Sequence, residues 1–144
     1  FICHGNICRS PMAEFVFRKK AAERGVSPLF SVSSAATSTE EIWNGVGNPV
    51  YPPAQRELKK HGIGCAGHAA HQITRRELEE YDLIYYMDAS NGRYLHRLFG
   101  SDAHKCHPLL SRDVADPWYT GDFEATWRDV SEGCRGLLEA VSGT

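Results

Sequence analysis

The sequence lacks a long apolar run and has no marked excess of charge of either sign. No apolar stretch approaches the roughly 18 residues that would span a bilayer, and no signal peptide is recognisable. We therefore expect no membrane association and a cytoplasmic location. The 16 basic and 18 acidic residues are spread along the chain and give a formal net charge of −2. Nucleic-acid binding typically needs a basic patch, so we expect no nucleic-acid partner.

Cysteine is scarce and scattered. The five cysteines stand at positions 3, 8, 65, 106 and 134. Their odd number and wide spacing are not typical of a secreted disulfide framework, and no Cys or Cys/His cluster has the spacing of a zinc site. We predict no metal and no cofactor. A reactive thiol needs a reducing compartment, which agrees with the expected cytoplasmic location.

The chain does contain a concentrated motif at its start. The segment reads Cys3-His4-Gly5-Asn6-Ile7-Cys8-Arg9-Ser10-Pro11. Ser10 is a favourable helix N-cap and Pro11 a favourable first helical residue, and a helical pattern follows as far as Gly25. The loop would close onto a helix N-terminus, where free N–H groups and the helix dipole favour an anion, a cysteine thiolate included. The motif predicts a phosphate cradle with a nucleophile at its floor.

The rest of the chain alternates between predicted strands and helices. Strands are predicted over 29–34, 83–87 and 105–109, and helices over 53–61, from 75, over 90–99 and from 122 onward. The segment 39–53 is rich in Gly and Pro and is predicted to lack regular structure. A strand should precede the opening loop, and we expect it to be truncated because only Phe1 and Ile2 precede Cys3. The alternation predicts one α/β domain over 1–144, with a parallel sheet covered on both faces.

The opening motif resembles the signature loop of the low-molecular-weight protein tyrosine phosphatases. A bare Cys-x5-Arg pattern is weak, but Gly-Asn-x-Cys-Arg-Ser-Pro within it is much more specific. The resemblance implies a flavodoxin-like fold with a four-stranded parallel sheet, and hydrolysis of phosphotyrosine and aryl phosphates through a phosphocysteine on Cys3. Arg9 would hold two phosphate oxygens, and Ser10 would hydrogen-bond the Cys3 sulfur. The implied phosphate-binding residues are His4, Gly5, Asn6, Ile7, Cys8 and Ser10.

A second motif, Asp116-Pro117-Trp118-Tyr119, resembles the acid loop of the same family. Asp116 would protonate the leaving oxygen and then accept a proton from the attacking water. Trp118 and Tyr119 would form one wall of the substrate entrance. Trp43, in the long variable segment, would form the other wall or would instead pack as an ordinary surface aromatic.

Three further polar residues are candidates for supporting the loop. In the family a small polar network holds the loop asparagine, and the matching positions here are Ser34 and His68. The alternative for His68 is an ordinary loop histidine. Asp88 follows a predicted strand and is either a partner of Arg9 or the cap of the next helix.

Cys8 lies on the same loop as Cys3, and the resemblance implies that the two can form a reversible disulfide that protects the nucleophile. Two other enzymes share the fold. Protein-arginine phosphatases usually carry Thr where this chain has Ile7, and arsenate reductases need further cysteines closer together than those at 65, 106 and 134. A non-catalytic phosphate-binding module would typically have lost Cys3 or Asp116. The expected partner is a phosphotyrosine-containing protein, in the family often a tyrosine kinase, and we expect a monomer or weak homodimer.

Overall fold

A computed structural model describes residues 1–142. The strands within that range are Ile2–Cys3 (β1), Ala35–Ala36 (β2), Ile42–Trp43 (β3), Val46–Gly47 (β4), Ile84–Tyr86 (β5) and Cys106–Pro108 (β6). The helices are Arg9–Glu23 (α1), Pro52–Lys60 (α2), Arg75–Glu80 (α3), Ala89–Phe99 (α4), Pro117–Thr120 (α5) and Phe123–Ser142 (α6). Short 3₁₀ helices span Ser27–Leu29 and Gly100–Lys105. None of the described helices is both long enough and apolar enough to cross a bilayer.

The main sheet is parallel, with its strands in the order β2-β1-β5-β6. One apolar cluster joins α1 and α6 on one face, and a second joins α3 and α4 on the other. The first includes Met12, Val16, Val130, Cys134 and Leu138. The second includes Ile2, Ala35, Leu78, Ile84 and Leu95. The predicted three-layer α/β/α arrangement with a four-stranded parallel sheet is confirmed.

The sheet register places the opening loop at the centre of one edge. Cys3 ends β1 and pairs with Ala36 of β2, while Ile2 pairs with both Ala35 of β2 and Tyr86 of β5. β1 therefore lies between β2 and β5, at the point in the sheet where the order of the strands along the chain reverses. Ligands of open α/β sheets bind at the carboxyl ends of strands at such a switch point.

The strand predicted over 29–34 is wrong in position. Ser27–Leu29 forms a 3₁₀ turn, residues 30–34 belong to no strand, and β2 covers only Ala35–Ala36. A strand needs a neighbour to hydrogen-bond. The Phe1 amine donates to the carbonyl of Ser33 at 2.9 Å, and Ala35 N–H donates to the carbonyl of Phe1 at 2.9 Å. The pairing with β1 therefore begins only at this point.

The expectation that 39–53 lacks regular structure is also wrong. β3 and β4 form an antiparallel hairpin in this segment, with Trp43 opposite Val46. Asn44 and Gly45 make the turn, with φ angles of 50° and 77°. Two consecutive positive φ angles define the tight hairpin turn that Asn-Gly favours. The Asn-Gly pair between apolar residues was therefore a hairpin signal that the abundance of Gly and Pro obscured.

The remaining elements match their sequence signals. α2, α3, α4 and α6 are confirmed within one or two residues of the predicted bounds, as are β5 and β6. The predicted capping box of α3 is present: Glu77 N–H donates to Thr74 Oγ1 at 3.1 Å, and Thr74 N–H donates to Glu77 Oε1 at 3.0 Å. These helices follow local rules that depend little on the rest of the chain.

Candidate active site

Cys3 lies at the carboxyl end of β1 and is 3% exposed. The loop from His4 to Cys8 turns around its sulfur, and three donors or potential donors face that atom. Asn6 N–H donates to Sγ at 3.3 Å and Ser10 N–H donates at 3.4 Å. The Ser10 hydroxyl is 3.0 Å from the same sulfur. All three groups can donate to the sulfur, which is the arrangement that a thiolate, able only to accept hydrogen bonds, would use.

Asn6 is the residue that shapes the loop. It is fully buried and adopts a left-handed backbone with φ of 61°, a conformation that Asn tolerates better than most residues. Its Nδ2 group donates to Ser10 Oγ at 2.8 Å and to Ser34 Oγ at 2.9 Å. Its Oδ1 accepts from His71 N–H at 3.2 Å. Both N–H donors of the side chain and its carbonyl oxygen are thus engaged, which holds the loop in one shape.

Ser34 and His68 both contact Asn6, as the resemblance implied. His68 Nε2 lies 2.7 Å from the Asn6 carbonyl oxygen. Since a carbonyl can only accept, His68 donates through Nε2 in this contact. Ser34 accepts from Asn6 and donates its hydroxyl proton to Glu14 Oε1 at 2.6 Å.

Glu14 is a further buried member of this network and is not among the site residues predicted from the sequence. The residue is 6% exposed, and its second oxygen pairs with Arg18 at 2.8 Å. An ionised carboxylate can only accept hydrogen bonds. Glu14 therefore sets the direction of donation, from Asn6 to Ser34 and from Ser34 to Glu14. An acidic residue within an otherwise apolar stretch of α1 was the available signal.

The predicted helix cap at Ser10 is wrong. α1 begins at Arg9 with Cys8 at the cap position, and no side chain caps it. The Ser10 hydroxyl faces Cys3 and Asn6 instead. The Ser10 hydroxyl therefore belongs to the site, although local sequence rules predict that it caps the helix.

Arg9 is 3% exposed and lies beside two carboxylates. Its Nη1 donates to Asp88 Oδ2 at 2.8 Å and to the Val114 carbonyl at 3.2 Å, while Nη2 is 3.4 Å from Asp116 Oδ2. Burial opposes the charged guanidinium. Nevertheless, the negative charges of Cys3, Asp116 and Asp88 outweigh burial and raise the Arg9 pKa above its ordinary value. Arg9 is therefore a fixed positive charge at the floor of the site.

Both sequence alternatives for Asp88 are correct. While Oδ2 pairs with Arg9, Oδ1 accepts from Asn91 N–H at 2.8 Å and caps α4. Asn91 Oδ1 returns a contact by accepting from Asp88 N–H at 3.1 Å. The capping box fixes the carboxylate in the orientation that Arg9 uses.

Asp116 is positioned by the start of α5. Its Oδ1 accepts from Trp118 N–H at 3.0 Å, which leaves Oδ2 directed toward Arg9. The side chain is 30% exposed, so solvent and a substrate can both reach it. Pro117 follows Asp116 as the first residue of α5, a position that suits its missing N–H.

A cleft of about 440 Å³ opens above Cys3. It is lined by Cys3, His4, Gly5, Ile7, Cys8, Arg9, Glu40, Glu41, Asp88, Ser90, Asn91, Tyr94, Asp116, Trp118 and Tyr119. Trp118 and Tyr119 are among these lining residues. Trp43 does not line the cleft but is 72% exposed on the β3–β4 hairpin. Glu40, Glu41 and Tyr94 line the cleft as well.

The cysteines differ sharply in their surroundings. Cys8 is half-buried on the cleft loop, and burial together with the nearby Cys3 raises its pKa to about 12. Cys134 is fully buried against Ala13, and burial raises its pKa to about 12 as well. Cys65 and Cys106 do not line the cleft. All five cysteines are free thiols.

The fold and the site together define a class: a flavodoxin-like α/β protein with a hydrogen-bonded cysteine beside a buried arginine at the carboxyl edge of its sheet. A family model described as low molecular weight phosphotyrosine protein phosphatase matches residues 1–144. The chain belongs to this family, and the resemblance inferred from the opening motif is confirmed. Members named for this activity are enzymes of the protein-tyrosine-phosphatase type, and so is this protein.

Individual relatives agree with the family match. The low molecular weight protein-tyrosine-phosphatase YfkJ of Bacillus subtilis is 36% identical over 149 residues, covering 98% of this chain and 93% of the relative. Its crystal structure has a TM-score of 0.92 at 35% identity, covering 99% of this chain and 92% of that one. The low molecular weight phosphotyrosine protein phosphatase of Rattus norvegicus is 41% identical over 150 residues, covering 96% and 92%. The crystal structure of a Drosophila arginine phosphatase has a TM-score of 0.84 at 26% identity, covering 98% and 95%.

Proposed function

We propose that the protein hydrolyses phosphotyrosine and other aryl phosphates through a phosphocysteine on Cys3, with Asp116 as general acid and base. The observation that carries this proposal is the arrangement around one sulfur. Cys3 accepts two backbone N–H donors and lies beside the Ser10 hydroxyl, at the floor of a cleft that Arg9 and Asp116 also line. The proposed nucleophile (Cys3), the phosphate-binding cation (Arg9) and the proton donor (Asp116) thus line the same cleft.

In the first step, the phosphate dianion enters the loop and Arg9 donates to two of its oxygens. The Cys3 thiolate attacks phosphorus, an S–P bond forms and the bond from phosphorus to the phenolic oxygen breaks. Asp116 gives its proton to the departing oxygen, so that tyrosine leaves as a neutral phenol. Arg9 and the loop N–H groups stabilise the charge on the equatorial oxygens during the transfer.

In the second step, Asp116 takes a proton from water as the water oxygen attacks phosphorus. The S–P bond breaks, inorganic phosphate forms, and the electron pair returns to the Cys3 sulfur. The Ser10 hydroxyl, 3.0 Å from Sγ, donates to the leaving thiolate and lowers the barrier to its departure. Asp116 ends the cycle protonated, ready for another substrate.

The positions of the cysteines disfavour thiol-dependent arsenate reduction. Such a reaction passes a disulfide from the nucleophile to other thiols, which must approach within bonding distance. Cys134 is fully buried between α1 and α6, and Cys106 is buried on β6. Cys65 does not line the cleft, and among the described residues Cys8 is the one other cysteine that does. By the family resemblance, Ile7 favours phosphotyrosine over phosphoarginine as substrate, because protein-arginine phosphatases usually carry Thr at this position.

The proposal is tested by hydrolysis of p-nitrophenyl phosphate without added metal. We expect Cys3→Ser to lower kcat by about 10³-fold or more, while Cys65→Ser, which removes a thiol outside the cleft, stays close to wild type. Rapid quenching with radiolabelled substrate should trap label on Cys3 in the wild type. Cys3→Ser retaining most of the activity would overturn the mechanism.

The assignment of Asp116 needs a leaving-group comparison. We expect Asp116→Asn to lower kcat/KM, which reports formation of phosphocysteine, by about 10²-fold or more with phenyl phosphate, whose phenol leaves poorly without a proton, and by less with p-nitrophenyl phosphate. Equal losses on both substrates would contradict the acid role. A parallel panel of phosphotyrosine, phosphoarginine and arsenate separates the proposed activity from the other two chemistries of the fold.

A further inference from the structure

The β3–β4 hairpin has one packed face and one free face. Gly47 lies so close to the Ala70 backbone that a Cβ atom on Gly47 would stand 1.8 Å from the Ala70 carbonyl oxygen. Ile42, the cross-strand partner of Gly47, belongs to the same face and is half-buried. The opposite face carries the other cross-strand pair, Trp43 and Val46, which are 72% and 69% exposed.

The free face begins at the mouth of the active-site cleft. Asn48 N–H donates to the Glu41 carbonyl at 2.8 Å, which extends the hairpin by one pair, and Asn48 Nδ2 donates to Glu41 Oε2 at 2.7 Å. Because side chains alternate along a strand, Glu41 shares a face with Trp43. Glu41 also lines the cleft. The surface therefore continues from the cleft mouth outward to the indole.

This side of the mouth is negatively charged. Glu40 also lines the cleft; its side chain is 68% exposed and contacts His4 Nε2 at 3.0 Å. Among the described residues that line the cleft, Arg9 alone is a Lys or Arg, and it is held at the floor by Asp88 and Asp116. Arg97 lies one helical turn beyond Tyr94 on α4, with its guanidinium carbon 5.0 Å from the centre of the Tyr94 ring, and does not line the cleft.

We propose that this hairpin reads the residue next to phosphotyrosine in a protein substrate and favours Lys or Arg there. The inference rests on the proposed phosphotyrosine hydrolysis and adds a substrate class to it. The cation would lie near Glu40 and Glu41, and its aliphatic stem would pack on the exposed face of Trp43. A Glu or Asp at the same place would meet two carboxylates and be rejected.

The experiment compares two phosphotyrosine peptides that differ only in the flanking residues, which are Lys in one and Glu in the other. We expect the wild type to have a kcat/KM about tenfold higher on the Lys peptide at low salt, since each exposed charge contact contributes modestly. The preference should shrink as NaCl is raised to 0.5 M, because salt screens exposed charges. A ratio near one at low salt would overturn the proposal.

The matched variants are Glu40→Gln/Glu41→Gln and Glu79→Gln/Glu80→Gln. The first removes both carboxylates at the mouth and should bring the ratio of the two peptides close to one. The second removes the same charge from exposed residues of α3, which do not line the cleft, and should leave the ratio as in wild type. Equal effects of the two double variants, or none from the first, would refute the assignment.

Using a ratio of kcat/KM values cancels any general change in catalysis. Hydrolysis of p-nitrophenyl phosphate, measured alongside, separates the two proposals. If the wild type hydrolyses this small substrate through Cys3 but does not discriminate between the peptides, the hairpin inference alone fails. If Cys3→Ser retains activity, the mechanism fails. Trp43→Ala gives a further check and should lower kcat/KM on the Lys peptide more than on the Glu peptide.

Discussion

Asp88 accepts a hydrogen bond from Arg9 with one carboxylate oxygen, while its other oxygen caps α4. The Arg9 contact is 2.8 Å and the contact with Asn91 N–H is also 2.8 Å. The arginine lies on the first turn of α1 and the aspartate at the N-cap of α4, 79 positions apart in the chain. The helix cap and the orientation of the guanidinium are therefore properties of one side chain.

This double role predicts different outcomes for two substitutions. Asp88→Asn keeps an oxygen for the Asn91 N–H but loses the charge that holds Arg9, so we expect kcat/KM to fall about tenfold or more with little change in Tm. Asp88→Ala loses both and should also cost about 1 kcal/mol of stability. Kinetics on p-nitrophenyl phosphate and thermal unfolding measure the two effects. An Asp88→Asn variant as active as wild type would show that the Arg9 contact is dispensable.

The chain of hydrogen bonds behind Asn6 predicts an effect of Ser34. Ser34→Ala removes the acceptor for Asn6 Nδ2 and leaves a buried donor unpaired, a loss of about 1–3 kcal/mol. We expect a lower Tm and a lower kcat, because Asn6 also positions Ser10 beside the Cys3 sulfur. Arg18→Ala is the control, since it removes the more exposed partner of Glu14 and leaves Ser34 in place. The idea fails if both variants have the same kcat as wild type.

Gly47 predicts a steric effect on the hairpin. Gly47→Ala would place a Cβ atom 1.8 Å from the Ala70 carbonyl oxygen and 2.6 Å from its nitrogen. Since backbone atoms cannot rotate away, the hairpin must shift, and we expect Tm to fall by several degrees. Gly64→Ala is the matched control because its Cβ would meet nothing within 4 Å. Thermal unfolding of the pair decides the prediction, which a Tm of Gly47→Ala at the wild-type value would contradict.

The buried thiol of Cys134 predicts a loss of stability in alkaline solution. Its pKa is about 12 in the folded protein against 9.0 for an ordinary thiol. Between these values the unfolded chain releases a proton that the folded chain retains, so the free energy of unfolding falls as pH rises above 9. The contribution at pH 10 is about 1 kcal/mol.

The measurement is urea unfolding at pH 7 and pH 10. We expect Cys134→Ala to be less stable than wild type at pH 7, because it leaves a small cavity, but to lose less stability between the two pH values. Parallel pH dependence in the two proteins would argue against a buried, protonated Cys134.

Short-range signals account for most of what could be predicted. The capping box at Thr74 and the apolar spacing of α6 depend on neighbours within one or two turns, and both elements form as expected. The strand placed over 29–34 was wrong because pairing depends on where β1 lies, which is not a local property. The hairpin at Asn44-Gly45 was missed although its signal was local, because the surrounding prolines and glycines suggested an irregular loop.

By itself, the sequence determined the family, the parallel α/β architecture and the loop that surrounds Cys3, since each depends on residues close together in the chain. Tertiary structure decided which distant side chains complete the site. Ser34 links Asn6 to Glu14, Asp88 meets Arg9, and Glu41 rather than Trp43 lines the cleft. These contacts depend on strand order and on which face of a hairpin packs against its neighbour. A reading of local patterns cannot supply that information.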